Sequence, residues 1–125
     1  MKKAKGTIFI VEDDFHIRSQ LIEVFEGEEY PVRSAENGRV ALSLLEDLSP
    51  LPRLIFLDLM MPVMDGFTLT RNIKQDARFS GLPVLIHSSL SGSANEDHVR
   101  RVGANGYVAK FEANELAQAI ASALG

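Results

Sequence analysis

The sequence predicts an α/β fold in which a parallel sheet is covered by helices on both faces. Three observations carry that prediction. Short apolar runs alternate strictly with stretches of helical periodicity, five of each, across the 125 residues. Such alternation is the pattern of successive βα units. The run 7–11, TIFIV, is apolar and β-branched, which suits a central strand buried on both faces. No internal repeat, low-complexity tract or linker interrupts the order, so one domain over residues 1–125 accounts for the chain. That length is enough to bury a real core.

The elements follow in turn. After the strand at 7–11, Ile17, Leu21, Val24 and Phe25 recur at helical spacing, and Gly27 ends that helix. Residues 30–35 form a short edge-like strand, and Asn37-Gly38 reads as a turn. Ala41, Leu44, Leu45 and Leu48 stripe the second helix, which closes at Ser49-Pro50. The third strand is 54–57, and Gly66, Leu69 and Ile73 face inward on the helix after it. The fourth strand, 84–86, is entered through Pro83 and followed by a polar helix at about 93–102. A strand at 106–109 and a helix striped by Leu116, Ile120, Ala123 and Leu124 complete the order.

Composition narrows the function classes. Hydrophobic residues make up 46% and charged residues 24%, the proportions of an ordinary soluble globular protein. A formal net charge of −4 disfavours a polyanionic partner, so neither direct DNA binding nor a membrane surface is expected. The absence of cysteine excludes disulfides and thiolate metal sites and suits a reducing compartment. In the opening MKKAKGTIFIVEDD the apolar run stops at Glu12, too short for a signal core or a membrane span. The expected location is the cytoplasm.

The chemistry lies at the strand ends. The stretch 55–66, IFLDLMMPVMDG, is an apolar run that ends abruptly in Asp58. Glu12, Asp13 and Asp14 follow the first strand, Ser88 and Ser89 the fourth, and Lys110 the fifth. In a parallel sheet these ends share one edge, which is where open α/β sheets bind ligands. Carboxylates brought close together raise each other's pKa unless a cation compensates. Mg²⁺ suits the role, because it favours one or two carboxylates with water and phosphate oxygens. Acids, a hydroxyl and an ammonium are equipment for phosphoryl transfer, with Asp58 as the nucleophile that becomes an aspartyl phosphate.

These residues resemble the response-regulator receiver domains of two-component signalling from end to end. The likeness rests on Glu12-Asp13, on Asp58 within DLMMPVMDG, on Ser88, on Tyr107 three residues before the lysine, and on Lys110. It implies a flavodoxin-like doubly wound sheet of five strands in the order 2-1-3-4-5, with five helices. It also implies that Asp58 accepts a phosphoryl group from a histidine kinase, making the chain a switch and not an enzyme. By the same resemblance Asp13, Asp58 and the Met60 carbonyl bind Mg²⁺ while Glu12 holds a metal-bound water. Ser88 and Lys110 would grip the phosphoryl oxygens, and Tyr107 would change rotamer with the switch. A downstream protein or a fused output domain would read a surface on the fourth helix, fifth strand and fifth helix. The segments HSSLSG and GANGYVAKFEANELAQAI are similar, more narrowly, to the receiver of CheV-type chemotaxis coupling proteins.

The chain departs from the receiver pattern at three places. Phe111 follows the lysine where the family has proline, Ser89 stands in place of alanine, and Asp14 extends the acidic pair. A Lys-Phe peptide pays about 3–4 kcal/mol to be cis, so a trans bond is expected there. Two other function classes share the fold. A binding module without a working phospho-site would have lost the aspartate, the lysine or the metal acid, and all are present. A haloacid-dehalogenase-type phosphatase would want a second acid two residues after the nucleophile, where Met60 stands. Simpler roles also fit some of the residues. One of Glu12, Asp13 and Asp14 is expected to cap the first helix, and Asp65 the third. His16, His87 and His98 have no metal-ligand spacing and read as structural or surface residues.

Overall fold

The computed structural model describes residues 6–88, 93–108, 118, 120 and 122. Strands β1 (Ile8–Val11), β2 (Val32–Ala35), β3 (Leu54–Asp58), β4 (Val84–His87) and β5 (Gly106–Val108) pair in the order β2-β1-β3-β4-β5. Every pairing is parallel. Helices α1 (Phe15–Gly27), α2 (Gly38–Asp47), α3 (Gly66–Gln75) and α4 (Ser93–Arg101) connect them. The predicted α/β class and strand order are both present.

The pleat explains the two-sided core. Phe9, Val11, Ile55, Leu57, Val84 and Ile86 point to one face, where they meet Leu45, Leu69, Ile73 and Val99 of α2, α3 and α4. Their neighbours Ile8, Ile10, Leu54, Phe56, Leu85 and Val108 point to the other, against Leu21 and Phe25 of α1 and against Ile120. Residues 118, 120 and 122 are helical, in the stretch where the fifth helix is expected. Leu116, Ala123 and Leu124 lie outside the described residues, as do Ser89, Lys110 and Phe111 with the Lys110–Phe111 bond.

Three local expectations need correction. The second strand starts at Val32, not at residue 30, because the Tyr30 N–H donates to the Phe25 carbonyl at 3.0 Å and belongs to the end of α1. Asn37 is the N-cap of α2, its side chain accepting from the Val40 N–H at 2.9 Å, so Asn37-Gly38 opens a helix. Ile17 is 37% exposed, and the buried stripe of α1 consists of Leu21 and Phe25.

The order of the strands sets the functional edge. β1 leads outward to β2 and, on its other side, inward to β3, so the chain reverses its winding between them. A crevice opens at such a reversal beyond the carboxyl ends of the strands. Glu12 follows β1, and Asp58 closes β3 as its last residue.

Candidate functional site

At that crevice Glu12, Asp58 and His87 each offer a ligating atom, and the three atoms lie within 4.8 Å of one another. The β3–β4 register pairs Asp58 directly with His87. Glu12 is 1% exposed and His87 6%, while Asp58 is half-buried. Asp13 is exposed at the mouth, with its carboxyl against that of Glu12.

Local structure holds the acids in place. Arg18, one turn into α1, donates to the Glu12 carbonyl at 2.7 Å. Asp14 caps the same helix, accepting from the His16 and Ile17 N–H groups at 2.8 and 3.1 Å, so the extra acid is a structural one. Its own N–H donates to Glu12 Oε2 at 3.1 Å. The Met60 N–H donates to Asp58 Oδ1 at 3.3 Å, and Met60 is 59% exposed. Asp65 caps α3 through the Thr68 N–H at 2.8 Å, as expected. Gly66 must lack a side chain, since a Cβ would sit 2.6 Å from the Asp58 carbonyl oxygen.

Burial and like charge dominate the electrostatics of the cluster. Burial, with Asp13 beside it, pushes the Glu12 carboxyl up to about 7 from 4.5. Burial and the Glu12 charge push Asp58 up to about 7 from 3.8. Burial also lowers the His87 pKa, against the smaller opposing pull of Asp58. Glu12 Oε1 and His87 Nε2 are 3.3 Å apart, yet neither has a hydrogen-bond partner among the described residues. Buried polar atoms are seldom left so. A divalent cation would neutralise the paired carboxylates and occupy the orphaned atoms, so the donor set fits one.

Of the residues predicted for the site, the structure brings Glu12, Asp13 and Asp58 together. Ser88 is buried directly after His87, with its N–H on the Val108 carbonyl at 3.1 Å. Tyr107 pairs with Ile86 in the β4–β5 register and packs on the α2–α4 face. Lys110 lies outside the described residues. His87 is the residue that sequence reasoning assigned elsewhere. After VLI it reads as one more strand position, and only the pairing with β3 sets it beside Asp58.

The profile of the response regulator receiver domain matches residues 8–121. The chain belongs to that family. The receiver is 34% identical over 102 residues to the response regulator PleD of Caulobacter vibrioides, covering 81% of this chain and 22% of PleD. It spans between 8% and 22% of the length of the first curated relatives it matches. A putative response regulator from Chloroflexus aurantiacus superposes with a TM-score of 0.90 at 32% identity, covering 98% of each chain. The receiver domain of the sensor histidine kinase PA1611 from Pseudomonas aeruginosa superposes with a TM-score of 0.86 at 24% identity, covering 98% and 99%. Its structure holds a magnesium ion in the active-site cleft. Receivers are signalling switches, generally phosphorylated on aspartate by histidine kinases.

Proposed function

We propose that this receiver accepts a phosphoryl group on Asp58 from a histidine kinase and passes the signal to a protein partner. The observation that carries the reading is Asp58 itself, half-buried at the end of β3 with Glu12 across the crevice. An Asp58 carboxylate oxygen attacks phosphorus, the bond from phosphorus to the donor's imidazole nitrogen breaks, and that nitrogen keeps the electron pair. The product is an acyl phosphate. Glu12, Asp13, Asp58 and the Met60 carbonyl would hold Mg²⁺, which when bound neutralises carboxylate and phosphoryl charge. Ser88 and Lys110 would bind the phosphoryl oxygens, with Tyr107 following Ser88 as the switch.

The reading assigns output to α4, β5 and the helix after it. A groove of about 300 Å³ lies there, lined by Val99, Arg100, Ala104, Asn105, Gly106 and Tyr107. A chain with net charge −4 favours a protein reader over DNA. Among the described residues no helix is long and apolar enough to cross a membrane, and a cytoplasmic switch spanning residues 1–125, with no enzymatic turnover of its own, is the arrangement proposed. Acetyl phosphate with Mg²⁺ should add one hydroxylamine-labile phosphoryl group to the parent chain and none to Asp58→Asn. Label retained on the variant would overturn the assignment.

A further inference from the structure

We propose that His87 is a nitrogen ligand in the acidic pocket and that the receiver selects Zn²⁺ over Mg²⁺ more strongly than its carboxylates alone would. The inference rests on the reading that the pocket holds a cation, and it does not depend on phosphorylation of Asp58.

The geometry of the orphaned atoms is the starting point. Glu12 divides its two oxygens. Oε2 takes the Asp14 N–H at 3.1 Å, while Oε1 faces His87 Nε2 at 3.3 Å with no hydrogen bond to either atom among the described residues. A histidine buried only for packing would have its ring nitrogens satisfied, because each unmet buried polar atom costs about 1–3 kcal/mol. Here two such atoms face each other at 3.3 Å, with an Asp58 carboxylate oxygen within 4.8 Å of both. Nitrogen and oxygen ligands of tetrahedral zinc stand at about 2.0–2.2 Å from the ion, which separates neighbouring ligands by about 3.3–3.6 Å. The Glu12–His87 pair at 3.3 Å falls in that interval, and the Asp58 oxygen, within 4.8 Å of both, is near enough to join them.

Donor type decides which ion gains. Imidazole suits zinc and other late divalent ions, whereas Mg²⁺ takes oxygen ligands and keeps its waters. The ring is also oriented in advance. It stacks on Phe56 at 4.7 Å between centroids and 8° between planes, and Arg18 fixes the backbone of Glu12. Support of this kind tunes metal affinity. The other two histidines take no part, since His98 stacks on Phe67 at 3.6 Å and His16 is exposed on α1.

The test uses the metal-free full chain, titrated calorimetrically with Zn²⁺ and separately with Mg²⁺. His87→Phe keeps a ring against Phe56 and removes the nitrogen, and His87→Leu serves as a second variant. Both should lose about tenfold or more in Zn²⁺ affinity and less than about twofold in Mg²⁺ affinity. In the parent, the imidazole nitrogen resonances of His87 should shift as Zn²⁺ saturates, a readout that needs no variant to fold. Unchanged Zn²⁺ affinity in a folded variant, equal loss for both ions, or unmoved His87 resonances would overturn the proposal. Phosphorylation by acetyl phosphate is scored separately. Its failure with zinc selectivity intact would count against the phospho-acceptor reading alone.

Discussion

The two ends of β4 solve the same problem in opposite ways. At Val84, where the strand begins, Asn105 imitates a neighbouring strand. Its N–H donates to the Val84 carbonyl at 2.8 Å, and its Oδ1 accepts from the Val84 N–H at 2.9 Å and from Lys74 Nζ at 3.1 Å. Lys74 Nζ also donates to the Leu82 and Ser80 carbonyls at 2.7 and 3.4 Å. At His87, where the strand ends, Nε2 faces a carboxylate oxygen and neither atom has a hydrogen bond among the described residues. Saturation of polar groups makes the first end a brace. Unmet polarity makes the second the place proposed for a cation.

That contrast predicts opposite responses to deletion. Asn105→Ala strips the buried Val84 N–H and Lys74 of an acceptor, and should cost about 1–2 kcal/mol in urea unfolding. The loss should be the same with or without a divalent cation. A cation-dependent loss would break the distinction between the brace and the proposed cation site.

The contrast also reaches pH dependence. Glu12 and Asp58 both titrate near 7 in the folded chain against 4.5 and 3.8 ordinarily, so the native state binds more protons than the unfolded state in between. Stability of the metal-free protein should therefore fall as pH rises from about 4 through 7, an effect of the two acids that the lowered His87 pKa opposes only in part, and Mg²⁺ at pH 8 should restore it. Urea midpoints at pH 5 and 8 in chelator are the measurement, and a higher midpoint at pH 8 would contradict the shifts. Smallest of all should be Glu12→Gln. Without metal at pH 8 it should be as stable as the parent or slightly more so, because it removes a like charge from the crevice. Thermal melts in chelator would check it, with marked destabilisation as the contrary result.

The difference between the ends also explains what could be read before any coordinates. The apolar runs ending in Glu12 and Asp58 carry their meaning locally, since an acid after a buried strand has to meet the sheet's carboxyl edge. The core stripe of α3 was legible for the same reason, because Leu69 and Ile73 are spaced by the helix itself. His87 was not legible. Its significance depends on Glu12, far away in the chain, and on a strand register that periodicity does not specify. Asn105 was missed on similar grounds, because its partners Lys74 and Val84 come from two other elements. Asn37-Gly38 misled because the same residues open hairpins and cap helices, and only the chain beyond decides which.

One closure near Asp58 has a bearing on engineering. The Gly66 N–H donates to the Leu59 carbonyl at 2.9 Å, drawing the two ends of the loop between β3 and α3 together at its neck. Within residues 60–65 Met61 is buried in the core and Met64 packs against it, so the loop is tied down on both sides of its exposed tip. Doubling the length of a flexible loop adds only about 0.6 kcal/mol of closure entropy. A reporter peptide threaded in beside Val63, 73% exposed at the tip, would therefore ride next to the acid without being part of its support. The tether would place a label at the crevice while the neck keeps Asp58 where the sheet put it.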